Sequence, residues 1–563
     1  MRLGEGRVPV TMLNSSQGDA PETGAARADL LAGRTTLGIE LGSTRIKACL
    51  VGADHAVLAT GSHAWENQYV DGVWTYALDA VWAGLQDAVA ALLADVERTH
   101  GVRLTTVGAI GVSAMMHGYV ALDASGEQLV PFRTWRNTST GPAAAELTEA
   151  LGTNIPLRWT VAHLYQAVLD GEPHLDHVAH VTTLAGYVHG RLTGEKVVGV
   201  GDASGIFPID PATGDYDAAA LATFEGLLAR RRGGETDATA LPAVVDLFPA
   251  AVPAGRPAGA LTAEGAALLD PSGVLTAGIP LCPPEGDAGT GMVATNAVAP
   301  RTGNVSVGTS IFAMVVLERP LAAVHHEIDL VTTPAGDLVA MVHCNNGASE
   351  LGEWASVFHA FAGALGHPAD ADEVFGVLLR AALDGEPDGG GLLAYNYLAG
   401  EPITGLTQGR PLVVRTPDSR LTLANFARTQ VFGAFGTLSL GMRILEREGV
   451  EVDALLAHGG LFRTAGVAQR LLAAAVGAPV AVGTTAGEGG AWGIAVLAAY
   501  LLAAQASDGE AAPDLGTWLT ERVFADAASV VVEPDPADVA GYARFLERYE
   551  AGLAVERAAG ESV

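Results

Sequence analysis

Leu37-Gly38-Ile39-Glu40-Leu41-Gly42-Ser43-Thr44-Arg45-Ile46-Lys47 reads as an apolar strand, a glycine with two hydroxyl residues, and a second apolar strand. The same grammar returns at Thr302-Gly303-Asn304-Val305-Ser306-Val307-Gly308-Thr309-Ser310-Ile311-Phe312. Glycine lets the backbone of such a turn approach a ligand and point its N–H groups outward, which is how amides and short hydroxyls cradle phosphate oxygens. Between the two turns lies Pro283-Pro284-Glu285-Gly286-Asp287-Ala288-Gly289-Thr290-Gly291, a carboxylate set in a turn of small residues. One glycine turn alone is weak evidence. A pair on either side of a lone carboxylate points to two halves closing on one phosphate chain, with Asp287 where they meet.

The bounds of the whole chain agree with that reading. Its 563 residues exceed what one core usually supports, so at least two domains are expected. With 49% hydrophobic and 17% charged residues there is ample apolar material to bury. A formal net charge of −31 repels phosphate backbones and anionic headgroups, which argues against nucleic-acid and membrane-surface roles. Any anionic ligand must then be held by local donors and metal. Cys49, Cys282 and Cys344 are far apart and show no CxxC spacing, which fits a reducing cytoplasm rather than a disulfide framework or zinc site. Residues 1–35 are rich in small and acidic residues, lack a signal-peptide core and read as a loose tail. The run Ala491–Ala506 carries no charge but is short for a membrane span, and it reads as a buried helix.

Along the chain, Leu37–Val51 predicts a hairpin. Asp79 is expected to cap a helix in which Trp82, Leu85, Val89, Leu92, Leu93 and Val96 recur at helical spacing. A buried strand at Thr106–Ser113 runs into Met115-Met116-His117-Gly118, and strand ends in open α/β sheets are where ligands bind. Trp135-Arg136-Asn137 has the composition of a small polar pocket. Asp202 and Ser204 lie in a Gly-rich loop, and residues 230–237 read as an exposed insertion whose charges have no assigned function. The strand and helix pattern restarts at Asn304, which places a domain boundary near residue 285. Beyond it, Leu392–Pro402 reads as a strand entering a loop and Leu423–Glu448 as a helix. Val452–Gly460 reads as a strand ending in a glycine pair, followed by a helix from about Ala465 to Val476. That pair, Gly459-Gly460, would let a flat ring sit against the backbone or would make a simple turn.

Taken in order, the first turn, Met116-His117-Gly118, Gly286-Asp287, the second turn and Gly459-Gly460 before a helix resemble the FGGY family of carbohydrate kinases, with xylulokinases and other pentulose kinases the nearest pattern. The resemblance implies an α/β chain of two actin-like (ribonuclease-H-like) domains with ATP and sugar in the cleft between them, at residues 36–285 and 286–545, with a C-terminal tail at 546–563. It implies Asp287 as the catalytic base, and Met116, His117, Trp135 and Arg136 at the sugar. ATP falls to Gly42, Ser43, Thr44, Lys47, Gly308, Thr309, Ser310, Gly459, Gly460 and Gln469, and Mg²⁺ to Glu40. A homodimer is also implied.

Three departures from the family pattern bear on the sugar and the metal rather than the reaction. Glu40 stands where the family has Asp, and it can hold magnesium directly or through water. Trp135-Arg136-Asn137-Thr138-Ser139 replaces Trp-Asn-Asp-Gly-Arg, and Ala185-Gly186-Tyr187 replaces Lys-Asp-Tyr. The expected substrate is a ketopentose such as xylulose. Another ketose, a sugar acid or a polyol is the alternative, as is an actin-like ATPase or sensor without kinase activity.

Overall fold

The computed structural model describes residues 20–231, 241–483, 489–506, 513–527 and 529–563. Two sheets carry it. The first is built from β1 (Thr36–Leu41), β2 (Arg45–Val51), β3 (Val57–Ala64), β4 (Ala109–Ala114) and the two-residue β5 (Glu285–Gly286), in the order β5-β4-β1-β2-β3. β1 runs antiparallel to β2 and parallel to β4, and β4 parallel to β5.

The second sheet is built from β6 (Thr302–Val307), β7 (Ile311–Val316), β8 (Ile328–Thr332), β9 (Leu338–Cys344), β10 (Ala454–Gly459), β11 (Val480–Gly483) and β12 (Ser529–Val532). Its order, β8-β9-β7-β6-β10-β11-β12, contains the plan of the first sheet. β6 pairs antiparallel with β7 and parallel with β10, and β10 parallel with β11. One further antiparallel strand is added at each edge, β8 and β12. Both predicted hairpins are therefore present, in the same place in each sheet.

The helices follow from the pattern of apolar residues. In α2 (Leu78–His100) the side chains of Trp82, Leu85, Val89, Leu92 and Val96 are buried. Asp79 does not cap it; Ala77 occupies the cap position and Asp79 lies inside the first turn, where its charge faces the positive end of the helix dipole. The helix expected at 423–448 is α6 (Leu423–Arg447), capped by the Thr422 hydroxyl, which accepts from the Asn425 N–H at 3.1 Å. The helix after the glycine pair is α7 (Val467–Val476).

One expected helix has a partner the sequence did not show, and two tails differ from the sequence reading. The uncharged run is α8 (Gly490–Gln505), apolar on every side, and such a helix must be covered all round. It is covered by the first sheet, on β1, β2 and β4, and by α5 (Asp287–Ala294), so the chain returns to its first half after completing most of the second. The expected loose tail at 1–35 includes α1 (Ala20–Ala32), in which Leu30 is buried and Arg27 donates to the carbonyl of His100 at 2.8 Å. Residues 1–19 of that tail, and residues 232–237 of the insertion, lie outside the described residues. At the other end no tail begins at 546, because α9 (Pro536–Ser562) runs through with Tyr549 and Glu556 buried. All three cysteines are free and buried, and among the described residues no helix is long and apolar enough to cross a membrane.

Candidate active site

Neighbouring parallel strands of the first sheet deliver the central carboxylate and the strand-end loop together. β4 ends at Ala114, and the N–H of Met116 donates to Asp287 Oδ1 at 3.1 Å. Asp287 does not sit in a turn; it is the first residue of α5, directly after β5, at the carboxyl end of a parallel strand. Burial pushes its pKa up, and backbone donors, that of Met116 foremost, pull it back. The short helix α4 (Val200–Ala203) closes over the same strand: Glu285 accepts from the N–H groups of Gly201 at 3.3 Å and Asp202 at 2.9 Å. Asp202, which the sequence placed in a loop, is thereby fixed in this helix with Thr183 donating to it at 2.5 Å. Burial raises Asp202 to about 7, opposed by the Thr183 hydroxyl and assisted by the charge of Asp287. Burial and the charge of Asp202 hold Glu285 well above the usual carboxylate range.

Asp287 faces a cavity of about 170 Å³ lined by Ser43, Met116, His117, Trp135, Arg158, Ala288, Ser310, Phe312, Met341 and His343. The cavity thus takes one residue from each glycine turn and the expected Met116, His117 and Trp135. Arg136 is not in it. Its guanidinium lies 3.9 Å from the ring centroid of Trp74 and lines an adjoining cavity of about 590 Å³ that shares Trp135, Arg158 and His343.

Sequence reading missed Arg158, Met341 and His343. The signals were an arginine beside Trp159 just ahead of α3 (Thr160–Asp170) and a histidine near the end of an apolar strand, both weak. His117 adopts φ 71°, a left-handed conformation that costs a non-glycine residue of order 1–3 kcal/mol and marks functional loops. Burial, with Arg158 nearby, lowers His343 to about 3 and His117 well below the ordinary imidazole value. Both rings are neutral at pH 7, each able to donate at one nitrogen and accept at the other.

The first turn, 42–44, is braced by aromatic side chains. The Trp65 indole donates to Gly42 O at 2.7 Å and the Tyr76 hydroxyl to Ser43 O at 2.6 Å. The second, 308–310, is braced by backbone: Gly347 N–H donates to Thr309 O at 2.7 Å and Ala348 N–H to Gly308 O at 2.8 Å. Glu40 and Lys47 pair across the first hairpin, and a Cβ added to Gly490 would lie 2.6 Å from Glu40 Oε1 and 2.8 Å from the Thr290 hydroxyl, so α8 starts against this carboxylate only because it starts with glycine. Among the described residues no group of three or more His, Cys, Asp or Glu is placed to hold a metal ion. One carboxylate with a neighbouring hydroxyl still fits Mg²⁺, which typically takes one or two protein carboxylates and completes its shell with phosphates and water.

At the end of β10, Gly459 has φ 115°, and a Cβ there would lie 2.1 Å from Val307 O, so this glycine lets β10 pair closely with β6. Beside Gly460 a Cβ would meet nothing within 4 Å, which leaves an open backbone face. Gln469 is not at that face. Its amide is buried and donates to Val480 O at 2.7 Å and Val530 O at 2.5 Å, tying β11 to β12. Both N–H groups of this buried amide are taken up between two strands, which corrects its assignment to the nucleotide.

Residues 35–280 match the N-terminal domain, and residues 303–502 the C-terminal domain, of the FGGY family of carbohydrate kinases. The chain belongs to this family. A rhamnulokinase of Yersinia pestis (strain Pestoides F) is 28% identical over 162 residues, 27% of this chain and 32% of the relative, so the match spans about a third of that curated relative. The fold is that of the xylulose kinase from Rhodospirillum rubrum (TM-score 0.72, 21% identity, 94% of this chain and 100% of that one). It is also that of the gluconate kinase from Lactobacillus acidophilus (TM-score 0.73, 18% identity, 94% and 100%). The architecture is thus the expected pair of actin-like α/β domains.

Proposed function

We propose that this FGGY-family chain transfers the γ-phosphoryl group of ATP to a hydroxyl of a small neutral sugar, a ketopentose such as xylulose, with Asp287 as general base. The observation that carries the reading is the convergence of Asp287, Ser43 and Ser310 on one sugar-sized cavity. Phosphoryl transfer passes through a loose transition state, so the protein's task is positioning and charge stabilisation. Asp287 orients the attacking hydroxyl and accepts its proton late, while the amides and hydroxyls of the two turns face the transferring group. Glu40 would hold Mg²⁺, which when bound neutralises phosphate charge. The open backbone beside Gly460 would take the adenine ring.

Two observations favour a neutral sugar over a sugar acid. Asp287 and Arg158 are the formally charged side chains lining the cavity, and Arg158 is paired with Asp329. The two imidazoles are neutral, so no uncompensated cation awaits a carboxylate. Xylulose is the first choice among neutral sugars because xylulose kinases share the fold. The test is ADP release from Mg-ATP across ketopentoses, ketohexoses, sugar acids, glycerol and polyols, beside a no-sugar control. Strong stimulation by one neutral sugar is expected. Equal release in every well would instead mean a non-kinase ATPase. The homodimer is part of the proposal, supported by the exposed row Val357, Phe361 and Leu365 and read by chromatography with light scattering.

A further inference from the structure

The edge strand β8 has no counterpart in the first sheet, and its free edge is not left to water. Asn154 Nδ2 donates to Ile328 O at 3.1 Å and to Asp329 Oδ1 at 3.1 Å, and Arg158 forms an ion pair with Asp329 Oδ2. Further along, the N–H of Thr332 donates to Ser204 Oγ at 3.0 Å and its hydroxyl to Val200 O at 3.0 Å. Every one of these partners belongs to the first half. The neutral bonds in this seam exchange at little net cost for bonds to water when the halves part. The ion pair is different, because Asp329 is 7% exposed and Arg158 lines both cavities at their neck.

The backbone of Arg158 is in turn fixed to the sugar loop. Gly118 N–H donates to Arg158 O at 3.1 Å, and the Thr160 hydroxyl donates to Gly118 O at 2.6 Å. Gly118 follows the strained His117.

We propose that Arg158 is the residue through which an occupied sugar cavity closes the two halves, by gripping Asp329 on β8 more strongly when sugar is seated. With the cavity empty, water reaches the guanidinium and screens the pair. A bound sugar displaces that water, lowers the local dielectric and leaves Asp329 as the guanidinium's partner across the seam. Arg158 and Asp329 are positioning residues for closure; neither is asked to move a proton. The inference rests on the reading of the cavity as a sugar site.

The test compares the parent enzyme with Asp329→Asn, Arg158→Lys and Thr332→Val, measuring sugar KM, ATP KM, kcat, and the sugar concentration that half-compacts the protein in small-angle scattering. Asp329→Asn should raise both the sugar KM and the compaction midpoint about ten-fold, the loss of one charge-assisted contact, with kcat within about three-fold and ATP KM unmoved. Arg158→Lys, whose ammonium reaches the cavity or Asp329 but cannot bridge them, should shift in the same direction; it carries the test if the first variant does not fold. Thr332→Val, which removes one neutral hydrogen bond from the seam, should shift the midpoint by about two- to four-fold, less than either charge variant. An unchanged sugar KM and midpoint in both charge variants, or an equal shift in Thr332→Val, overturns the role of Arg158. Compaction by sugar without turnover would sink the kinase reading and leave the closure device standing. A parent that neither compacts nor turns over with any sugar overturns both.

Discussion

The turns between β1 and β2 and between β6 and β7 each hold three residues, yet they are held by opposite means. Gly42-Ser43-Thr44 hangs from two side chains, Trp65 and Tyr76, whose rings stack at 4.2 Å between centroids. Gly308-Thr309-Ser310 hangs from the backbone of 347–348. That backbone is fixed by Asn396, which donates to Gly347 O at 2.7 Å, and by Glu401, which accepts from the side chain and N–H of Asn346 at 3.1 and 3.3 Å. The proposed chemistry is divided as well. Glu40 stands two residues before the first glycine, where the second turn has Ser306, and Asp287 also belongs to the first sheet. Two halves built to one plan have thus diverged into a side that carries charge and a side that offers amides and hydroxyls.

The harshest way to test that division is Asp287→Asn. It should cut turnover by roughly 10²–10⁴-fold, the usual worth of a general base, while calorimetry still shows nucleotide binding. An Asn variant turning over at the parent rate would break the comparison at its root. Next come Glu40→Gln and Ser306→Ala as a matched pair. The first should raise the Mg²⁺ concentration for half-maximal rate by about 10–100-fold, and the second should leave it within a factor of about two. Equal effects would mean the metal is shared between the halves.

Smaller again is the contrast in bracing. Tyr76→Phe removes one hydrogen bond and should raise the ATP KM by about three- to ten-fold. Glu401→Leu leaves two Asn346 donors buried and unpaired, and should cost the second turn at least as much. A Glu401→Leu enzyme with parental ATP KM would show that the backbone brace stands without it.

The smallest effect concerns pH, because among the buried carboxyls of each half is one raised by burial to about 7, Asp202 beside the still higher Glu285 in the first and Glu401 in the second. A carboxyl raised on folding binds its proton more tightly in the native state. Its stabilising share is therefore complete below the unfolded value near 4 and is lost as pH rises toward 7. Asp202→Asn and Glu401→Gln should each flatten the decline in melting temperature between pH 4 and pH 7, by a few degrees, in calorimetric scans. A variant that declines as steeply as the parent would remove that carboxyl from the account.

What the sequence disclosed follows the range of the forces involved. Strand, glycine turn and strand are local, so both hairpins and the α6 helix were readable, and Asp287 was found because two such turns bracket it. Pairing across hundreds of residues leaves no local trace, and the apolar run of α8 could be recognised as buried without showing which sheet buries it. Gln469 was misplaced because a helix pattern does not say which way a polar side chain inside it points. Arg158 and His343 were missed for a related reason, since each is a single polar residue in an apolar setting and gains meaning only when Asp329 and Asp287 are brought beside it.

The return of α8 to the first sheet also has a consequence during synthesis. The strands of that sheet are complete at Gly286, but the face across β1 and β4 stays bare until Gln505 has left the ribosome. At roughly 5–20 residues per second that interval is about 10–40 seconds, far longer than a strand pair needs to form. A nascent chain of this protein therefore presents a finished but uncovered sheet to the cell, a target for holding chaperones, and a gene cut after residue 286 would yield that exposed surface permanently.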